Sequence, residues 1–182
     1  MEDLAHILDF MPQGMPDDRR FRREPVAYAV GPFQFKLFEL VPKDNVTLTA
    51  GDVVYIGKEV PLRKEILHVK RRIKYEELTN AAQGELPFVL QKIVLEREAD
   101  FVKFYNESRP ITMRFHMLEL LPGLGKKTMW AVLEERKKRP FTNFKDIEER
   151  VSAVRHPEKL IAKRIEMELA EADQKYHIFV AK

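Results

Sequence analysis

The stretch Leu120-Leu121-Pro122-Gly123-Leu124-Gly125-Lys126-Lys127-Thr128 decides how the C-terminal half of this chain is read. It lies between two apolar-periodic segments, so the Gly-Leu-Gly core reads as a tight turn that opens directly into a helix. The first amides of a helix have no partner inside it, and the macrodipole adds partial positive charge there. Gly123 is free to adopt positive φ, and Gly125 has no Cβ to obstruct an approaching group. Lys126 and Lys127 add two full charges at a place where lysine disfavours the helix itself. A bound anion explains them, and a backbone phosphate fits this arrangement.

Both flanks read as helical. Ile111, Phe115, Leu118 and Leu121 share one face before the turn. Met129, Val132 and Leu133 continue a second helix through Arg136, which Lys137-Lys138-Arg139-Pro140 ends. Thr142 or Asn143 caps a helix over residues 146–151. Pro157 begins a last long helix with Leu160, Ile161, Ile165 and Leu169 apolar, and residues 176–180 form a strand-like tail that packs back on the core.

Residues 25–74 read as β. Val26-Ala27-Tyr28-Ala29-Val30, the alternation from Phe33 to Leu40, Val46-Thr47-Leu48-Thr49, Val53-Val54-Tyr55-Ile56 and residues 66–73 are strand candidates separated by Gly, Pro and Asn-Asp turns. Short strands of this kind suggest a small OB-like barrel. Residues 75–107 read as connecting helices, one ended by Gly84 and the next started near Pro87. Residues 1–24 read as an arm, either packed by Leu4, Ile7, Leu8 and Phe10 or contacting phosphate through Arg19, Arg20, Arg22 and Arg23. The fold class is therefore α+β: an arm (1–24), a barrel (25–74), connecting helices (75–107) and a C-terminal hairpin domain (108–182).

The chain has 182 residues, 45% hydrophobic and 34% charged, with a net charge of +3. A core is possible, and basic character has to be local to matter. The absence of cysteine excludes disulfides and thiolate metal sites. No secretory signal and no membrane-length apolar run is read, so a cytoplasmic protein is expected. His6, His68, His116, His156 and His177 show no helical ligand spacing, so no metal site is expected. Neither Ser108 nor Ser152 sits in a nucleophile elbow. No cofactor motif is recognised.

Residues 111–139 resemble a helix-hairpin-helix motif, which binds nucleic acid backbone without reading sequence. Pro122, Gly123, Leu124, Gly125, Lys126 and Lys127 match its turn and helix start. Residues 151–169 resemble a degenerate second copy in which Arg155-His156-Pro157-Glu158 replaces the glycine turn. Nearly the whole chain resembles an archaeal family, domain of unknown function 655. The resemblance is carried by Leu8-Asp9-Phe10-Met11-Pro12-Gln13-Gly14, Arg22-Arg23-Glu24-Pro25, His68-Val69-Lys70-Arg71-Arg72-Ile73 and Leu120 to Lys127. It implies an OB-like barrel joined to a helix-hairpin-helix domain, and nucleic acid binding.

The expected function is non-enzymatic, largely sequence-independent binding of RNA or DNA backbone. The expected site residues are Gly123, Leu124, Gly125, Lys126 and Lys127 at the turn, with Lys70, Arg71 and Arg72 on the barrel. A solvated, aggregation-resistant edge strand explains the barrel cluster equally well. Trp130 is expected at a packed interface. Two alternatives stand beside this reading. One is a protein-interaction module of a ribosome-maturation or transcription complex. The other is a DNA glycosylase or abasic lyase using Lys127 and Asp146.

Overall fold

The computed structural model describes residues 1–16, 19, 23–171 and 173–182. The chain forms two compact units, Met1–Val89 with Met167–Lys182, and Leu90–Glu166. The α+β class holds. Among the described residues, no helix is long and apolar enough to cross a membrane.

The first unit is built on a curled, half-barrel sheet of five antiparallel strands. They are β1 (Leu4–Met11), β2 (Val26–Val30), β3 (Leu37–Pro42), β4 (Val53–Tyr55) and β5 (Ile66–Ile73), in the order β4-β1-β2-β3-β5. Register shifts at Ile7/Asp9, Glu39/Leu40 and Val41/Pro42 bend the sheet. Large and small residues face each other across it: Ile7 opposes Ala29, and Leu40 opposes Ala27. These four join Ala5, Phe38, Val54 and Ile66 in one buried cluster.

Several expectations change. The predicted arm contains β1, which pairs with both β2 and β4. Its apolar residues serve a sheet rather than themselves. The expected arm cations Arg20 and Arg22 lie outside the described residues. Residues 46–49 form no strand; Leu48 is nevertheless buried, and the Asp52 carboxylate holds the Thr49 amide. Phe33 lies in a turn over residues 32–34, and Phe35 follows it at φ 54°, before β3 begins. The buried Glu2 carboxylate accepts the Phe33 and Gln34 amides there. Helix α1 (Asn80–Glu96) runs through both Gly84 and Pro87. Their cost of roughly 1 and 3 kcal/mol is offset by burial of Leu86, Val89, Leu90, Ile93 and Val94.

The second unit contains α2 (Glu98–Glu107), β6 (Pro110–Thr112), β7 (Phe115–His116), a 3-10 turn over Met117–Leu120, α3 (Lys126–Lys138), α4 (Phe144–Arg150) and most of α5 (Pro157–Ala170). The helix expected before the glycine turn is absent: residues 110–116 form a tight β-hairpin instead. Side chains take the backbone groups that a helix would use. Thr112 Oγ1 accepts the Arg114 amide at 3.2 Å, His116 Nδ1 the Leu118 amide at 3.0 Å, and Glu119 the His116 amide at 2.8 Å.

Arginines stitch the helix ends. The Arg136 guanidinium donates to the Tyr105 and Ser108 carbonyls, closing α2. The Arg150 guanidinium donates to the Glu135 and Arg139 carbonyls at 2.6 and 2.7 Å, closing α3, and stacks over Phe141. Asn143, rather than Thr142, caps α4 by accepting the Asp146 amide.

The C-terminal tail makes no strand. Glu168, only 3% exposed, accepts the amides of Ile178, Phe179 and Val180 at 2.9–3.1 Å. Replacing Glu168 by alanine strands these donors. A loss of about 2–4 kcal/mol in urea unfolding and faster proteolysis of residues 174–182 are expected. An unchanged unfolding midpoint would contradict this role.

Candidate functional site

The turn after Leu120 has the geometry its glycines suggest. Gly123 sits at φ 84°, and a Cβ built on either Gly123 or Gly125 would meet open space. Leu124 is a buried anchor, not a surface contact; its amide donates to the Leu121 carbonyl at 3.1 Å. Gly125 is the N-cap of α3 and makes no side-chain cap bond. The other helix starts in this unit carry acids: Glu98 and Asp100 on α2, Asp146 on α4, Glu158 on α5. The first turn of α3 carries none.

The two lysines part company here. Lys126 Nζ lies 3.2 Å from Glu119 Oε1 and donates to the Arg114 carbonyl at 2.7 Å. The chain thus supplies its own anion to Lys126. The His116 amide, and then Lys126, hold the Glu119 carboxyl below its ordinary value. Lys127 is exposed, and among the described residues it has no partner. Of the two predicted cations, only Lys127 retains an uncommitted charge.

The barrel cluster divides in the same way. Glu39, buried at 5% exposure, accepts Lys70 Nζ at 3.0 Å and Arg71 Nε at 2.8 Å. Arg71 also reaches Glu77 at 2.6 Å, which is the first cause of the lowered Glu77 carboxyl. Arg72 is exposed and lines a cleft of about 310 Å³ with Lys36, Lys58 and Arg63. Sequence order does not group Lys36 and Lys58 with Arg72; folding of the sheet does.

The second, degenerate turn is internally satisfied. His156 takes φ 52°, and its amide donates to Glu148 Oε1 at 2.5 Å. Its Nδ1 lies 3.6 Å from both Glu148 and Glu158. These three side chains have cation-ligand chemistry, with their ligand atoms within 4.8 Å of one another. They come from α4, the turn and α5, so no helical spacing announces them.

Asp146 accepts the Thr142 amide at 3.0 Å and Arg150 Nη1 at 3.1 Å. Burial raises its pKa, but the Thr142 amide and Arg150 outweigh burial and leave it lowered. These bonds tie Asp146 to the local frame of α4. Trp130 is not packed at an interface; it is 59% exposed.

A family model described as "Protein of unknown function (DUF655)" matches residues 1–181. The chain is 47% identical over 180 residues to the uncharacterised protein MJ0038 of Methanocaldococcus jannaschii, covering 98% of this chain and 80% of that one. It is also similar to the crystal structure of Af1531 from Archaeoglobus fulgidus. There the TM-score is 0.93 and the identity 49%, over 99% of this chain and 100% of the other.

Burial, and then the Arg136 guanidinium, push the His116 imidazole below its ordinary value of 6.5. Its NMR-detected titration is expected below that value. As pH falls the unfolded chain takes up this proton first, so acidification through about 6.5 favours unfolding. Wild type should therefore lose more stability in urea between pH 7 and pH 5 than His116→Asn, which keeps an acceptor for Leu118. The Glu119 contribution persists in that window and is lost only below about 4.5, as its lowered carboxyl protonates. A His116 titration above 6.5 would refute the assignment.

Proposed function

The chain belongs to the DUF655 family of proteins of unknown function, and we propose that it binds RNA or DNA backbone non-enzymatically, without reading sequence. The phosphate lies over Gly123 and Gly125, accepts the first amides of α3, and is neutralised by Lys127. In this reading the 3-10 turn, the glycine turn and α3 act as a helix-hairpin-helix-like clamp. The half-barrel acts as an OB-like surface, on which Arg72 with Lys36 and Lys58 provides a second basic area.

One observation carries the proposal. The α3 start combines an uncapped N-terminus, two glycines open to solvent, no first-turn acid and an uncommitted lysine. The other helices that start in this unit each carry an acid in the first turn. A phosphate completes at α3 what Asn143 and Glu148 complete at α4 and α5. The commitment of Asp146 to Thr142 and Arg150 favours binding over lyase chemistry.

Anisotropy of labelled duplex DNA, duplex RNA and single-stranded RNA across a salt series tests this. Log affinity should fall linearly with log salt. Lys127→Ala should weaken binding to every sequence alike and reduce the slope by about 1. Lys126→Ala should instead act through stability, because it breaks the Glu119 pair. Salt-insensitive binding, or a Lys127→Ala slope equal to wild type, would overturn the reading.

A further inference from the structure

Beside the α3 start lies a cavity of about 380 Å³, at the small end of ligand clefts of roughly 300–1,000 Å³. The β6–β7 hairpin, the 3-10 turn and α3 enclose it. Its apolar lining includes Met113, Phe115, Met129 and Trp130. Met113 is fully exposed and Trp130 is 59% exposed. Lys126, bonded to the Arg114 carbonyl, holds the hairpin tip in place at the edge of this space.

The polar side of the cavity is more telling. His116 lines it and is only 5% exposed. Its Nδ1 accepts the Leu118 amide, so the neutral imidazole carries its proton on Nε2. That Nε2 is buried and, among the described residues, has no hydrogen-bond partner. An unsatisfied buried donor is costly, and a native structure that keeps one calls for an explanation. A ligand with a flat face for Trp130, an acceptor for the imidazole and a negative charge for exposed Arg114 matches these three side chains of the lining.

We infer that this cavity receives a single unstacked nucleobase of the bound strand, stacked on Trp130, with a base acceptor bonded to the His116 Nε2–H. This rests on the backbone-binding reading and adds a preference to it: unpaired nucleotides over intact duplex. Stacking tolerates any base, so sequence independence is kept.

Trp130 is the chain's only tryptophan, so its emission reports on the cavity alone. The test uses the full chain at low salt with a 12-nucleotide oligo(A) RNA and a blunt RNA duplex, followed by anisotropy and tryptophan fluorescence together. The single strand should quench Trp130, and the duplex should bind without quenching. Trp130→Ala should weaken oligo(A) about tenfold or more and leave duplex affinity within about twofold. His116→Asn, whose Oδ1 keeps the Leu118 bond while the imidazole Nε2–H is lost, should weaken oligo(A) alone. Salt-dependent binding of oligo(A) without quenching, or an equal loss for both ligands in Trp130→Ala, would overturn the cavity assignment and leave the backbone reading standing. If neither the oligo(A) nor the duplex bound at any salt, both readings would be overturned and the cleft left to a protein partner.

Discussion

The Glu119 carboxylate constrains everything around the glycine turn. One oxygen accepts the His116 amide and the other pairs with Lys126, whose ammonium reaches the Arg114 carbonyl. Three segments, the β6–β7 hairpin, the 3-10 turn and the first turn of α3, are thereby fixed by one short side chain. A charge-assisted bond to a backbone amide is about twice as strong as a neutral one. Here it replaces the helix that apolar spacing alone suggests. Without Glu119, neither the mouth of the cavity nor the separation of Lys126 from Lys127 would be defined.

Carboxylates on backbone amides recur through both units. Glu2 serves Phe33 and Gln34, Glu98 serves Phe144, Glu148 serves His156, and Glu168 serves Ile178, Phe179 and Val180. Each is an anion supplied internally to a set of donors that turns and helix starts leave over. Against that habit the α3 start stands out, because it has no side-chain cap bond and no acid in its first turn. The same habit accounts for the fate of several basic residues predicted as contacts. Lys70, Arg71 and Lys126 neutralise their own chain's carboxylates, whereas Lys127 and Arg72 pair with none among the described residues.

Local chemistry made much of the architecture legible. The turn residues, the extent of α3, the α4 cap within one residue, and β2 and β5 all follow from periodicity, capping and breaker rules. The misreadings share one cause. Leu4 to Phe10 and residues 111–121 carry apolar patterns that suit more than one element. The choice was made by strand pairing in the first case and by Thr112, His116 and Glu119 in the second. Gly84 and Pro87 signalled a break that buried leucine and valine on α1 overrode.

The sequence by itself determined where the glycine turn lies, that its first residue takes positive φ, and that basic residues flank it, because those depend on backbone sterics and neighbours along the chain. Only the tertiary structure decided which of those charges are spent. Pairing of Lys126 with Glu119, burial of Leu124, convergence of Glu148, His156 and Glu158, and exposure of Trp130 beside an unsatisfied His116 all depend on through-space distances of a few ångströms. Spacing along a chain does not encode such distances until the elements have packed.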